Sequence, residues 1–196
     1  MNADANPGID TPLTAEGAAA AGLYRLTEPH ARPLTWHMSE AWIALAIVAF
    51  DQATKALVRA TIPLYGKLAV IPDLVDLTHV RNTGAAFGIL NCVDLPFKTV
   101  VIALVATAAL IGIGIYAAGL SPHERVARVG LALILGGAAG NLIDRLVAGY
   151  VVDYVDVYWG EHHFWAFNVA DSAITIGVAI MMIDMIGLRK HVPKTV

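Results

Sequence analysis

The chain has 196 residues, of which 57% are hydrophobic and only 15% charged, and its formal net charge is −3. Soluble domains carry about 25% charged residues, so this composition excludes a disordered chain and argues against a soluble enzyme, and the slightly acidic balance excludes a nucleic-acid partner. The single cysteine, Cys92, excludes an internal disulfide framework and any CxxC metal or redox motif.

Residues 1–35 are polar, rich in Ala, Gly and Pro, and without a sustained period, which predicts a mobile cytoplasmic tail rather than a cleavable signal. Residues 36–190 then form one membrane-embedded domain, and 191–196 a short cytoplasmic C-terminal tail. A bilayer core about 30 Å thick needs roughly 20 helical residues. Four segments qualify, at about 36–58, 97–118, 126–147 and 168–188. The second has its uncharged stretch at Thr99–Ala118, whereas the other three carry internal charges. The expected fold class is therefore an all-α membrane protein, a four-helix bundle, with a small extracytoplasmic sheet between the first and second spans.

The segment Arg59–Asp94 is too long for a simple turn. Leu68–Ile71 and Leu74–Val80, separated by Pro72-Asp73, predict a hairpin or small curved sheet, and Ala85–Leu90 a short interfacial helix. The second outer segment, Tyr150–Ala166, carries Tyr150, Tyr154, Tyr158, Trp159, Phe164 and Trp165, and reads as an aromatic loop at the membrane–water interface. Basic residues set the orientation. Arg25, Arg32, Arg125, Arg128, Arg189, Lys190 and Lys194 fall on one side and Arg59, Lys67 and Arg81 on the other. Both termini are thus expected in the cytoplasm.

Ionisable groups inside spans cost roughly 2.5–3.5 kcal/mol each, so each asks for a partner or a role. Counted along alternating spans, Asp51, Lys55, Asn141, Asp144, Arg145, Asn168 and Asp171 fall in one layer near the outer face, within reach of Asp153. Asn141, Asp144 and Arg145 share a helix face, Asp51 and Lys55 have ion-pair spacing, and Asn168 suits a helix N-cap three residues before Asp171. The run Gly136-Gly137-Ala138-Ala139-Gly140 reads as a helix-packing surface. Two carboxylates brought together in a poorly hydrated place cannot easily both ionise, so one holds a proton while the other activates water. Asp153 and Asp171 are candidates for such a pair. The bland alternative is that Asp171 caps its helix and Asp153 faces water. His162 and His163 are adjacent and read as solvated rather than as metal ligands. Ser172 supports the helix start rather than acting as a nucleophile with Lys55.

These residues resemble the bacterial lipoprotein signal peptidases, the signal peptidase II family. The resemblance runs from about Trp36 to Leu188. It rests on Asp51-Gln52-x-x-Lys55, Asn82-Thr83-Gly84-Ala85-Ala86-Phe87-Gly88, Gly140-Asn141-Leu142-Ile143-Asp144-Arg145, Val151-Val152-Asp153-Tyr154 and Phe167-Asn168-Val169-Ala170-Asp171-Ser172. It implies a membrane aspartic endopeptidase that needs no cofactor or metal. The implied enzyme cuts prolipoproteins on the amino side of a diacylglyceryl-modified lipobox cysteine and is sensitive to globomycin. By motif position Asp153 and Asp171 would be catalytic. Asn82, Asn141, Arg145 and Asn168 would hold the substrate backbone or the acids, with Asp51, Lys55 and Asp144 in support. The outer sheet would cradle the substrate. Tyr154 stands where the family commonly has Phe, and the polar tail is longer than usual. Competing expectations are a small transporter or channel subunit, with intramembrane charges including Asp184 lining an ion path, and a non-catalytic scaffold whose buried charges lock helices together.

Overall fold

A computed structural model describes residues 38–84 and 97–188. The tails, the proposed helix at Ala85–Leu90, Cys92, and the basic residues Arg25, Arg32, Arg189, Lys190 and Lys194 lie outside the described residues. Among the described residues, four helices are long and apolar enough to cross a membrane. They are α1 (Met38–Thr61), α2 (Lys98–Gly119), α3 (Arg125–Ala148) and α4 (Val169–Leu188). Helix α1 runs past Val58, where the hydropathy pattern ended it, so Asp51, Lys55 and Arg59 lie at i, i+4 and i+8 of one continuous helix.

Helix α3 is the centre of the bundle. Over its most apolar window 56% of residues are buried, against 17% or less in the other three helices. Lipid tails are as apolar as Leu, so helices in a bilayer associate through close packing and polar contacts rather than through the hydrophobic effect. The glycines of α3 permit that approach. A Cβ on Gly137 would collide with the Ala170 carbonyl of α4. At the far end from the sheet, Arg128 Nε and Nη2 donate to the two Glu40 oxygens at 3.0 and 3.2 Å, and Arg128 Nη1 donates to the Leu120 carbonyl at 3.0 Å. That fork fastens the starts of α1 and α3 to the end of α2. Exposed Phe50, Leu104, Ile111, Ile176 and Ile183 cover the outside of the bundle with apolar surface.

The hairpin expected after α1 is present as β1 (Lys67–Ile71) and β2 (Val75–Asn82). Its turn is made at Asp73, which takes φ 61°, a left-handed conformation that Asp tolerates. The segment read as an aromatic loop supplies the rest of the sheet: β3 (Val151–Trp159) and β4 (His162–His163) complete an antiparallel order β1-β2-β3-β4. The reason the strand was hidden is local. The amides of both Tyr154 and Val155 donate to the Phe167 carbonyl, at 3.0 and 2.8 Å, so two residues occupy one ladder position. Such a bulge breaks the two-residue alternation by which a strand is recognised.

Chain direction changes abruptly before β3. Gly149 takes φ 79° and its N–H reaches back to the Arg145 carbonyl at 3.1 Å, ending α3 in a left-handed cap. The sheet then sits on the C-terminal end of α1, where Val152 and Tyr154 pack with Val58 and Ile62. Asp153, between Val152 and Tyr154, is left facing the opposite way.

Candidate active site

Asp153 enters from β3 and Asp171 from the first turn of α4, and Asn168 joins them. The Asn168 side chain donates to Asp153 Oδ1 at 2.7 Å, while its own backbone N–H donates to Asp171 Oδ2 at 3.3 Å. Asn168 Oδ1 accepts the Asp171 N–H at 2.9 Å. This reciprocal pair is the capping geometry that starts α4, so Asp171 does cap its helix. It does so with one oxygen only. The other, Oδ1, accepts from Asn141 Nδ2 at 2.8 Å. Asp153 Oδ2 accepts from Asn82 Nδ2 at 3.0 Å, across the sheet from β2. Each carboxylate is therefore held by two donors, and both oxygens of each are addressed.

Beneath them lies a fully buried ionic cluster. Lys55 has three N–H groups and three partners: Asp51 Oδ2 at 2.8 Å, Asp144 Oδ2 at 2.9 Å and Asn141 Oδ1 at 2.9 Å. Asp51 and Lys55 are wholly shielded from solvent and Asp144 almost so. Arg59 Nη2 closes on Asp144 Oδ1 at 2.8 Å, so two cations balance two anions. Asp51 Oδ1 takes the Ala170 N–H of α4 at 3.0 Å. An ion cluster this dry survives only when every member is paired, because breaking one pair leaves a charge without water or partner. Asp51 and Lys55 of α1 thus fix α3 through Asn141 and Asp144, and α4 through Ala170.

Arg145 leaves this cluster and points toward the β2 end. Its Nη1 donates to the Asn141 carbonyl at 3.2 Å and its Nη2 to the Gly84 carbonyl at 3.0 Å. Gly84 N–H in turn donates to Asn82 Oδ1 at 2.9 Å, which leaves the Asn82 amide aimed at Asp153. The nine residues singled out from the sequence therefore form one connected network. Three members were missed. Arg59 was counted among loop charges, although its i+4 spacing from Lys55 marked it. Gln52 donates to the Gly140 carbonyl at 3.1 Å from a position one residue off the charged face. Thr54 receives the Tyr154 hydroxyl at 2.8 Å, tying the strand of Asp153 to α1. No sequence period pointed to Gln52 or Thr54. Asp184, the residue that favoured an ion path, lies 13 positions further along α4 than Asp171, roughly 20 Å away at the helical rise, so it stands apart from this network.

Electrostatics separates Asp153 from an ordinary carboxylate. Burial pushes its carboxyl up to about 7, and the negative charge of Asp171 adds to the rise. The hydrogen bonds from Asn82 and Asn168 and the charge of Lys55 pull the other way without cancelling it. At neutral pH Asp153 is thus poised between its two states, which is the condition for proton transfer.

Comparison with known proteins agrees with this arrangement. Residues 43–187 match the family model described as signal peptidase (SPase) II, Peptidase_A8. The chain belongs to the signal peptidase II family. It is 50% identical over 141 residues to the lipoprotein signal peptidase of Geobacter metallireducens, covering 71% of this chain and 85% of that one. Over 150 residues it is 39% identical to the lipoprotein signal peptidase of Pseudomonas aeruginosa, covering 76% and 88%. A bacterial membrane enzyme solved by the in meso method at 2.3 Å superposes with a TM-score of 0.71 at 31% identity, covering 85% of this chain and 99% of the other. The four-helix bundle with its four-stranded sheet is thus a signal peptidase II fold. The aligned part contains the whole polar network, from Asp51 to Asp171.

Proposed function

We propose that this signal peptidase II family member removes signal peptides from diacylglyceryl-modified prolipoproteins, cutting on the amino side of the lipid-bearing cysteine. The observation that carries the reading is the single side chain, Asn168, hydrogen-bonded to Asp153 while its backbone binds Asp171. Two acids from different elements are thereby held around one point. The signal peptide enters sideways from the bilayer as an apolar helix, with its lipidated cysteine at the outer interface. One of the two aspartates deprotonates a water molecule, whose oxygen adds to the scissile carbonyl carbon while the other aspartate donates a proton to the carbonyl oxygen; the proton taken from water is then passed to the leaving amide nitrogen as the C–N bond breaks. They titrate as a coupled pair. Asn141, Asn168 and Arg145 supply donors near the developing oxyanion. Asn82 holds Asp153, while Asp51, Lys55 and Asp144 fix the helices that present the acids.

The same reading makes residues 36–190 one membrane-embedded peptidase domain of the bacterial cytoplasmic membrane, with both tails cytoplasmic and the active site near the outer face. Its partners are the lipidated prolipoprotein and membrane lipid, and globomycin blocks it. The test is gel-shift cleavage of a diacylglyceryl-modified prolipoprotein by purified protein. Wild type cleaves and globomycin stops it, while Asp153→Asn is inactive. Cleavage by Asp153→Asn at the wild-type rate would remove the proposal.

A further inference from the structure

Helices α2 and α3 pack closely along only part of their length. In the half away from the sheet, Leu110, Ile113 and Ala117 of α2 meet Leu131, Ile134 and Leu135 of α3. Toward the sheet the two helices leave a cleft of about 250 Å³, lined by Thr99, Ala103, Leu104 and Thr107 of α2 and by Arg145 and Leu146 of α3. Thr99 to Thr107 spans eight positions, roughly 12 Å of helix. Leu104 and Leu146 are 64% and 69% exposed, so the cleft opens sideways between the two helices.

The walls of this cleft are apolar, although two of its residues carry hydroxyls. Thr107 Oγ1 donates to the Ala103 carbonyl at 2.7 Å, and Thr99 Oγ1 donates to the Gly149 carbonyl at 3.3 Å. Both hydroxyls are taken up by backbone, which leaves no free donor for a polar guest. Arg145 closes the sheet end, with Nη1 and Nη2 directed to the Asn141 and Gly84 carbonyls. It is also near enough to Asp171 and Asp153 to feel both charges. One end of the cleft is therefore beside the two acids, and the other is shut where Leu110 meets α3.

We infer that the α2–α3 cleft seats one acyl chain of the substrate's diacylglyceryl group, with its closed end limiting how much of the chain is held. The inference rests on the proposed peptidase reading and deepens it. No water fills an apolar cleft inside a bilayer, and an empty one forfeits packing on every wall, so a hydrocarbon chain is its occupant. The choice of chain follows from Arg145. Whatever lies in the cleft has its head beside the acids, which is where the lipid-bearing cysteine must stand for cleavage. A phospholipid head and that cysteine compete for one place, and only a chain attached to the cysteine satisfies both. Lipid tails are as apolar as Leu, so moving a chain from bilayer to cleft gains packing alone. Its effect is to hold the cysteine at the depth of the acids.

The experiment places a photoactivatable diazirine midway along one acyl chain of a diacylglyceryl-modified prolipoprotein. The substrate is bound to Asp153→Asn protein in phosphatidylcholine vesicles, so that the complex accumulates. Crosslinks fall on residues 99–107 and on Leu146. With the diazirine carried by the vesicle phospholipid and unlabelled substrate bound, crosslinks fall on the exposed faces of α1 and α4 and not in the cleft. A kinetic arm uses Ala103→Leu, which fills the cleft. This variant loses about three- to tenfold in kcat/KM on a long-chain substrate, and it cleaves a substrate with acyl chains too short to pass Ala103 at the wild-type rate. Val105→Leu, exposed on α2 and not lining the cleft, keeps wild-type values on both. The crosslinking arm changes no cleft residue, so it decides the matter even where Ala103→Leu does not fold. Substrate crosslinks outside the cleft, cleft crosslinks from the vesicle phospholipid with substrate bound, or a folded Ala103→Leu as efficient as wild type on long chains would each overturn the inference while wild-type cleavage stands. Failure of wild type to cleave any lipidated substrate would instead remove the peptidase reading, and the chain subsite with it.

Discussion

Lys55 donates to Asn141 Oδ1 at 2.9 Å, and in doing so determines which end of that amide meets Asp171. An asparagine side chain presents an acceptor on one side and a donor on the other. With its oxygen held by an ammonium, Asn141 turns its NH₂ to Asp171 Oδ1 at 2.8 Å. A buried cation on α1 therefore orients an acid on α4 through a neutral relay on α3. Lys55→Met removes the relay and leaves Asp51 and Asp144 short of a cation, at an expected cost of about 3–5 kcal/mol. Adding Asp51→Asn relieves one orphaned charge, so the double variant is more stable than the sum of the two single losses. Thermal unfolding in detergent micelles measures both, and strictly additive losses would show that the cluster is not coupled.

Asp153→Asn and Asp171→Asn separate the chemistry from the scaffold. Each keeps the size of the side chain and removes a proton-transfer group, so cleavage should drop by about 10²–10⁴-fold or more. Stability responds differently at the two positions. At 153 the variant no longer buries a charge, but both Asn82 and Asn168 donate toward that position, so one new donor faces a donor. At 171 the capping oxygen can be retained. Both proteins should remain folded in the membrane, and a scaffold role alone would instead show unfolding with no separate loss of chemistry.

The raised carboxyl of Asp153 sets a pH signature. An unfolded aspartate titrates near 3.9, whereas burial and the charge of Asp171 hold this one up to about 7. Between those values the folded protein binds more protons than the unfolded chain, so stability falls as pH rises from about 4 to 7 and levels off above. Asp153→Asn flattens that slope. Cleavage requires the pair to keep one proton, so its rate declines as pH climbs through about 7. A rate that keeps rising to pH 9 on a fixed lipidated substrate would contradict the assignment.

The spans and the polar layer were legible because helical spacing is regular: Asp51 with Lys55, Asn141 with Asp144 and Arg145, and Asn168 with Asp171 meet as their periods demand. The strand carrying Asp153 was not, since the Tyr154–Val155 bulge disrupts its alternation and its aromatics mimic an interfacial loop. Gln52 and Thr54 escaped for another reason. Their partners, the Gly140 carbonyl and the Tyr154 hydroxyl, are 88 and 100 residues away in the chain, and no local pattern encodes them. Asn82 could be singled out only from the family motif, because its contact with Asp153 depends on sheet register.

Gly140 tests how tightly the cluster is built. A Cβ there would sit 2.7 Å from Asp51 Oδ2 and 3.2 Å from its carboxyl carbon. Asp51 cannot retreat into solvent, because it is fully buried and its other oxygen holds the Ala170 N–H in the first turn of α4. Gly140→Ala therefore displaces Asp51 from Lys55 and Ala170 together, at an expected cost of about 1–3 kcal/mol, with reduced cleavage because α4 carries Asp171. Gly112→Ala in α2 is the matched control. Nothing lies within 4 Å of its would-be Cβ, so the better helix propensity of alanine leaves stability equal or raised by up to about 1 kcal/mol. Equal melting temperatures for the two variants would mean that Asp51 moves freely, which its contacts with Lys55 and the Ala170 N–H contradict.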